Sequence, residues 1–267
     1  MLPKLTVLMR FKETASLAGI YLVGWLNKVL LNYLQKEKFG IIEALVFSNA
    51  MTFWQRHLAV ARHIRIRDGG LSVLDVGGAD ALARFMDVSK FHFCALNVDR
   101  SAFTNNPLRD RLFVADGGNM PFRNESFDIL TSVSTLEHMP KERREAFLNE
   151  LKRVARKMVI IYVPVDQFGA RYDRKYAEIH QKLLGYVEPF TAEHIRYGLP
   201  SLAELRRSFP DADICGVQNC AVWYVLILFE GVPILQLFAG LFYLAILKKF
   251  DDNPPYYGCI VSWRKAM

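Results

Sequence analysis

The sequence predicts an α/β fold built on a mostly parallel sheet, and three observations carry that prediction. Between residues 71 and 163, short apolar runs alternate with helical stretches, the pattern of strands joined by crossover helices. Several of the runs end in an acidic residue, two of them directly followed by glycine or near it. The run Met158 to Val163 (MVIIYV) is almost wholly apolar, as expected of a strand buried on both faces.

Taken in order, residues 12–66 read as helical, with apolar positions recurring through Leu22, Leu26, Val29, Leu30 and Tyr33 and again through Ile42, Leu45, Met51, Trp54 and Leu58. Asp68-Gly69-Gly70 breaks this pattern. Strand candidates follow at Leu71 to Val76, Phe91 to Val98, Arg111 to Ala115, Phe127 to Ser134 and Met158 to Val163. A helical stretch ALARFM follows the first of them. Lys141 to Ala155 is a helix with charges outside and Phe147, Leu148, Leu151 and Val154 inside. Residues 166–200 are polar and aromatic, without a strand. Ser201 to Glu204 forms a capping box opening a helix to about Phe209. Ala212 to Asn219 and Tyr256 to Arg264 complete the strand candidates.

Composition narrows the function classes. The 267 residues are 52% hydrophobic and 23% charged, with net charge +7 and a mean hydropathy of +0.10. Such a chain buries a core, which excludes intrinsic disorder, and four cysteines are too few for a disulfide scaffold. The apolar surplus is concentrated in Ala15 to Leu26, followed by VLLNYL, and in Ala221 to Leu247. The second block is long enough to span a bilayer, but Glu230, Gly231 and Pro233 break it near its middle. If the strand candidates on either side share one sheet, a single crossing is excluded. The expectation is then a helical hairpin over 221–250, dipping into one leaflet or packing internally, with Lys248, Lys249, Arg264 and Lys265 near anionic headgroups. The basic residues are too dispersed for a nucleic-acid footprint.

The chemical signal is strongest at 71–86. An apolar strand ends in Asp75-Val76-Gly77-Gly78, where glycine lets a ligand approach the backbone and a helix start offers free N–H groups. The next two strands end at Asp99 and Asp116, and in an open parallel sheet the strand carboxyl ends face one crevice. A carboxylate at the second strand suits a vicinal diol, and one after the third suits an exocyclic amine. No Cys-x-x-Cys or His-x₃-His spacing occurs, so no zinc site is expected, and the cysteines read as buried thiols.

Val73 to Gly78 resembles the first motif of the class I S-adenosylmethionine-dependent methyltransferases. Asp99 matches that family's ribose-binding acid. Ala115 to Phe122, followed by Ser126-Phe127-Asp128, resembles its third and fourth motifs. Ser132 to Pro140 is similar to the segment after the fourth strand in the methyltransferase type 11, ubiquinone-biosynthesis-like subgroup. The resemblance covers residues 70–165 and implies a Rossmann-like, seven-stranded, mostly parallel sheet with helices on both faces and an antiparallel last pair. An N-terminal helical extension (1–68) precedes the domain (69–267), which carries a substrate lid (166–200) and the hairpin insertion between its last two strands. It implies S-adenosyl-L-methionine as cofactor, with contacts from Asp75, Gly77, Gly78, Ala79, Asp99, Arg100, Asp116, Gly117 and Ser134. Of the family's three turn glycines only Gly77 remains, with Ala79 and Ala81 at the other two positions. His138 either meets substrate and takes a proton or caps a neighbouring loop. Asp166, His180 and His194 are further catalytic candidates in the lid segment. The expected function is methyl transfer to a lipid, quinone precursor, lipid-linked sugar or other small acceptor. The expected setting is cytoplasmic, peripheral or monotopic on the membrane surface, without nucleic acid. The alternatives are a non-catalytic scaffold with a decayed turn, or a soluble methyltransferase forming a homodimer through the hairpin.

Overall fold

The computed structural model describes residues 51–64, 70–78, 81–86, 90–103, 111–165, 168–228, 239–240 and 242–266. The chain divides into two compact units, Gln55–Ala221 with Asp251–Met267, and Met1–Trp54 with Val222–Phe250.

The first unit is built on a seven-stranded sheet. Its strands are β1 (Leu71–Val76), β2 (Phe91–Asn97), β3 (Leu112–Val114), β4 (Phe127–Val133), β5 (Ala155–Pro164), β6 (Asp213–Asn219) and β7 (Tyr256–Arg264). Their spatial order is β3-β2-β1-β4-β5-β7-β6. The strands β1 to β5 pair in parallel, while β7 runs antiparallel to both β5 and β6. The expected Rossmann-like topology and antiparallel last pair are therefore present. The strand order switches sides between the parallel neighbours β1 and β4, and that switch point opens the crevice where such sheets bind ligands.

Alternation along each central strand feeds two cores. Leu74, Val76, Leu130, Val159, Ile161 and Val261 face the helix α2 (Lys141–Val154), burying Phe147, Leu148 and Leu151. Val73, Ala95, Ile129, Ile160 and Ile260 face the other way and meet Val60 and Ile64 from the end of α1 (Met51–His63). Both faces being covered explains why MVIIYV is apolar throughout.

After β5 come α3 (Gly169–Leu184) and α4 (Pro189–Tyr197), which pack on one another. Gly185, at φ +84°, ends α3 in the left-handed conformation that glycine adopts without strain. Glu188 caps α4 by accepting from the backbone of Phe190 and Thr191, with Pro189 at the first helical position. Ser201 caps α5 (Leu202–Ser208) by accepting from Glu204 N at 3.1 Å, as the capping box requires.

Two expectations are corrected. The stretch ALARFM yields only a 3₁₀ turn, Leu82–Phe85, because just its small apolar face is buried under the sheet. The helix α2 does not keep all its charges outside, since Arg144 is fully buried. Its Nε and Nη2 donate to the carbonyls of Met139, Tyr197 and Gly198, which ties α2 to the end of α4, while Nη1 lies 3.8 Å from Glu204 Oε2.

In the second unit, α6 (Cys220–Ile227) contributes Val222 and Leu226, which cluster with Ala239 and Tyr243 and the partly buried Leu247. Tyr243–Leu247 is a π-helical turn continued by α7 (Lys248–Asp251). Among the described residues, no helix is long and apolar enough to cross a membrane. The expected break at Gly231-Val232-Pro233 and the helical reading of residues 12–50 lie outside the described residues.

Candidate active site

The carboxyl ends of β1, β2 and β4 converge on one turn. Gly77 adopts φ +87°, and a β-carbon there would lie 2.2 Å from Thr135 Oγ1. A β-carbon on Gly78 would lie 1.8 Å from Asp75 Oδ2. Both positions therefore demand glycine, one for conformation and approach, the other for approach alone. The turn is anchored from β2, because Asn97 Nδ2 donates to Gly77 O at 2.9 Å and to Gly78 O at 3.2 Å. The same side chain accepts from Asp99 N at 2.9 Å, so one residue sets the turn and the position of Asp99.

Asp75 is buried, with 1% exposure. Its Oδ1 accepts from Thr131 Oγ1 at 2.8 Å across the β1–β4 pair, while Oδ2 is buried without a partner. Burial pushes its carboxyl pKa up to about 7, against the smaller opposing effect of Thr131. Asp99 is exposed and accepts from Ser101 N and Oγ at 2.8 and 2.6 Å, which holds its pKa below the usual carboxylate range. Asp116 accepts from Gly118 N at 2.9 Å and forms a short ion pair with Arg143. The carboxylates at the second and third strand ends thus stand where the sequence places them, each already engaged locally. Arg100, itself exposed, opens the 3₁₀ turn Arg100–Phe103. Gly117 is a packing glycine, since a β-carbon there would meet Phe147 at 2.7 Å. Ala79 lies outside the described residues.

After β4, Ser134 takes φ +51°, a strained conformation for a non-glycine residue, and its Oγ is buried without a partner. The 3₁₀ turn Leu136–His138 follows. It carries Glu137, which is 1% exposed with Oε2 unpartnered, and His138, which is partly buried. His138 Nδ1 lies 2.8 Å from Glu193 Oε2, and its ring centroid is 4.8 Å from that of His194 and 5.3 Å from that of Phe190. His194 Nδ1 lies 3.0 Å from Asp173 Oδ2, and its Nε2 is buried without a partner. Burial works against the His194 imidazolium, but the Asp173 hydrogen bond and the charges of Glu137 and Asp173 outweigh it and raise the pKa. Asp173 Oδ1 accepts from Tyr257 Oη at 2.7 Å.

The structure therefore brings His138 and His194 together and leaves His180 apart. His180 Nδ1 faces Tyr186 O at 2.9 Å at the end of α3. Asp166 lies outside the described residues. The sequence reading missed Asn97, Glu137, Asp173 and Glu193 as site residues. Asp173 had one legible sign, an acid on the face of α3 that also buries Tyr176 and Ala177. The absence of a short zinc-type spacing did not foretell the Glu137, His138 and His194 grouping, because α4 supplies its last member from far along the chain.

The strand order and the glycine turn after β1 are what the resemblance to the class I S-adenosylmethionine-dependent methyltransferases implies. Residues 77–163 match the family model described as Methyltransferase domain, so the resemblance read from the motifs holds and this stretch carries that domain. A search of curated proteins gives no match. Among solved structures, a Haemonchus contortus phosphoethanolamine N-methyltransferase 2 in complex with S-adenosyl-L-methionine is similar at TM-score 0.53 and 17% identity, over 88% of this chain and 60% of that one. A second Haemonchus contortus structure, bound to phosphomonomethylethanolamine and S-adenosylhomocysteine, gives TM-score 0.51 and 14% identity over 79% and 52% of the two chains. A Synechocystis magnesium protoporphyrin IX methyltransferase with bound S-adenosylhomocysteine gives TM-score 0.50 and 13% identity over 90% and 99%. This chain spans only 52% and 60% of the length of the two Haemonchus chains. At these identities the likeness is one of fold.

Proposed function

We propose that this chain transfers the methyl group of S-adenosyl-L-methionine to a small or lipid-linked acceptor. The observation that carries the reading is a run of buried, unpartnered polar atoms around the Gly77–Gly78 turn and the loop after β4, namely Asp75 Oδ2, Ser134 Oγ, Glu137 Oε2 and His194 Nε2. Buried polar groups are ordinarily hydrogen-bonded, and those left open mark places where a ligand completes them. The residues fit the cofactor, with two obligatory glycines, an exposed carboxylate after β2 and a half-buried one after β3.

When bound, the cofactor supplies an already activated sulfonium methyl group. The chain's own part is binding and orientation. The Gly77–Gly78 backbone admits the ligand closely, Asp99 can accept from two ribose hydroxyls once it exchanges its Ser101 bonds, and Asp116 can accept from the adenine amine. Thr135, in contact with Gly77, links this cradle to the acceptor side, where His138 and His194 offer ring nitrogens to orient an acceptor or take its proton.

A lipid, quinone precursor or lipid-linked sugar suits this reading, with the chain peripheral or monotopic on the cytoplasmic membrane surface. Its support is the apolar sequence of 15–34 and 221–247 and the exposed Leu183, Leu184, Tyr186 and Phe190 around the α3–α4 turn. The test is incubation of the full chain with membranes and methyl-labelled cofactor. Label in a lipid-extractable product, lost in Asp99→Ala, is expected. Label confined to water-soluble products would refute the lipid acceptor, and no transfer at all would favour the scaffold reading.

A further inference from the structure

Glu137, His138 and His194 each offer one ligand atom, and those atoms lie within 4.8 Å of one another. Two features separate this group from an ordinary polar cluster. The Glu137 side chain is 1% exposed and its Oε2 is buried without a partner, as is His194 Nε2. Buried polar atoms ordinarily find a partner, and here a carboxylate oxygen and an imidazole nitrogen of one cluster both remain open.

The second feature is how the two rings are held. His138 Nδ1 meets Glu193 Oε2 at 2.8 Å, and His194 Nδ1 meets Asp173 Oδ2 at 3.0 Å. An ionised carboxylate only accepts, so each ring carries a hydrogen on Nδ1. A neutral ring then keeps its lone pair on Nε2. Carboxylates behind histidines in this way fix the tautomer, orient the ring and raise its basicity toward a metal. The Asp173 carboxylate is itself held, by Tyr257 Oη at 2.7 Å.

We propose that Glu137, His138 and His194 bind a first-row divalent transition-metal ion of the zinc class, with Asp173 and Glu193 as positioning residues behind the two imidazoles. Two imidazoles and one carboxylate are a donor set for such an ion, and three protein ligands leave a position open. Bonds of about 2.1 Å bring tetrahedral ligand atoms to roughly 3.4 Å from one another, so atoms within 4.8 Å of one another need to close by about 1.4 Å at most on binding. At that open position the ion would take an acceptor oxygen or nitrogen, acting as a Lewis acid and template. That role rests on the methyl-transfer reading, whereas binding of the ion does not.

The test uses the full chain, stripped of metal by chelator and titrated with Co²⁺ as a visible probe. One saturating equivalent is expected, with intense d–d bands that Zn²⁺ displaces. His194→Ala and Glu137→Gln should weaken Co²⁺ binding at least 100-fold, and Asp173→Asn roughly 10- to 100-fold. Each variant is checked by urea unfolding, which separates loss of the metal from loss of the fold. No saturable Co²⁺ binding by the wild-type chain would overturn the proposal. So would unchanged affinity in Glu137→Gln, or loss of the bands in Cys215→Ser, whose Sγ lies 3.6 Å from His63 Nε2 and is the competing thiol–imidazole pair. If the chain takes up Co²⁺ but no S-adenosylhomocysteine, the metal site stands and the methyltransferase reading fails, and the reverse result separates them the other way.

Discussion

Replacing Asp75 with asparagine should stabilise the protein in a pH-dependent manner while weakening its cofactor site. The carboxyl is buried with one oxygen unpartnered, and burial lifts its pKa from about 4 to about 7. The folded chain therefore holds the Asp75 proton more tightly than the unfolded chain does. The stability this contributes is complete below about pH 4 and is lost as pH rises through about 7. A displacement of about three pH units corresponds to on the order of 4 kcal/mol of stability lost once the group is charged. Asparagine is neutral at every pH, can keep the 2.8 Å bond from Thr131 on Oδ1, and fills the same space beside Gly78. Urea unfolding followed by tryptophan fluorescence at pH 5 and pH 8 measures the difference. Because the loss sets in from about pH 4, Asp75→Asn should gain about 1 kcal/mol at pH 5 and on the order of 2–4 kcal/mol at pH 8. A variant less stable than wild type at pH 8, or a difference independent of pH, would refute the reasoning. Cofactor affinity should move the other way, because the oxygen left open is the one the ligand completes.

Gly78→Ala places a methyl carbon 1.8 Å from Oδ2 of the buried Asp75, and should cost about 1–3 kcal/mol in urea unfolding and weaken S-adenosylhomocysteine binding at least tenfold. Asn97→Ala removes both anchors of the turn and should cost about 1–2 kcal/mol, with calorimetry showing weaker binding of the same ligand. Asp128 governs the acid limb. Burial opposes its charge, but the Ser72 backbone and hydroxyl together with Lys157 outweigh burial and hold its pKa at about 2. The stability this gives is present above about pH 4 and is lost as pH falls through about 2, so Asp128→Asn should flatten the fall in melting temperature between pH 4 and pH 2.

Much of the sheet unit was legible because its signals are local. The β5 run is apolar because both faces of the sheet are covered, and the Gly77–Gly78 turn follows directly from its strand. The Ser201 cap needed only a four-residue window. What escaped was set by partners distant in the chain. Arg144 reads as one more surface charge of an amphipathic helix, and only the carbonyls of Tyr197 and Gly198 explain its burial. Glu137 stood inside a quoted motif, yet its role emerges only when α4 brings His194 beside it. Asp116 was correctly read as an acid after the third strand, but no spacing rule foretold that Arg143 would pair with it. The short ALARFM stretch has helix-forming residues but too little buried surface to extend beyond one 3₁₀ turn.

The central claim is that the Gly77–Gly78 turn and Asp99 form a cradle for S-adenosyl-L-methionine. Isothermal titration of the full chain with that cofactor tests it most directly. The account predicts a single saturable site whose affinity falls at least tenfold in Asp99→Ala. No heat of binding in the wild-type chain, or binding that Asp99→Ala leaves unchanged, would contradict it.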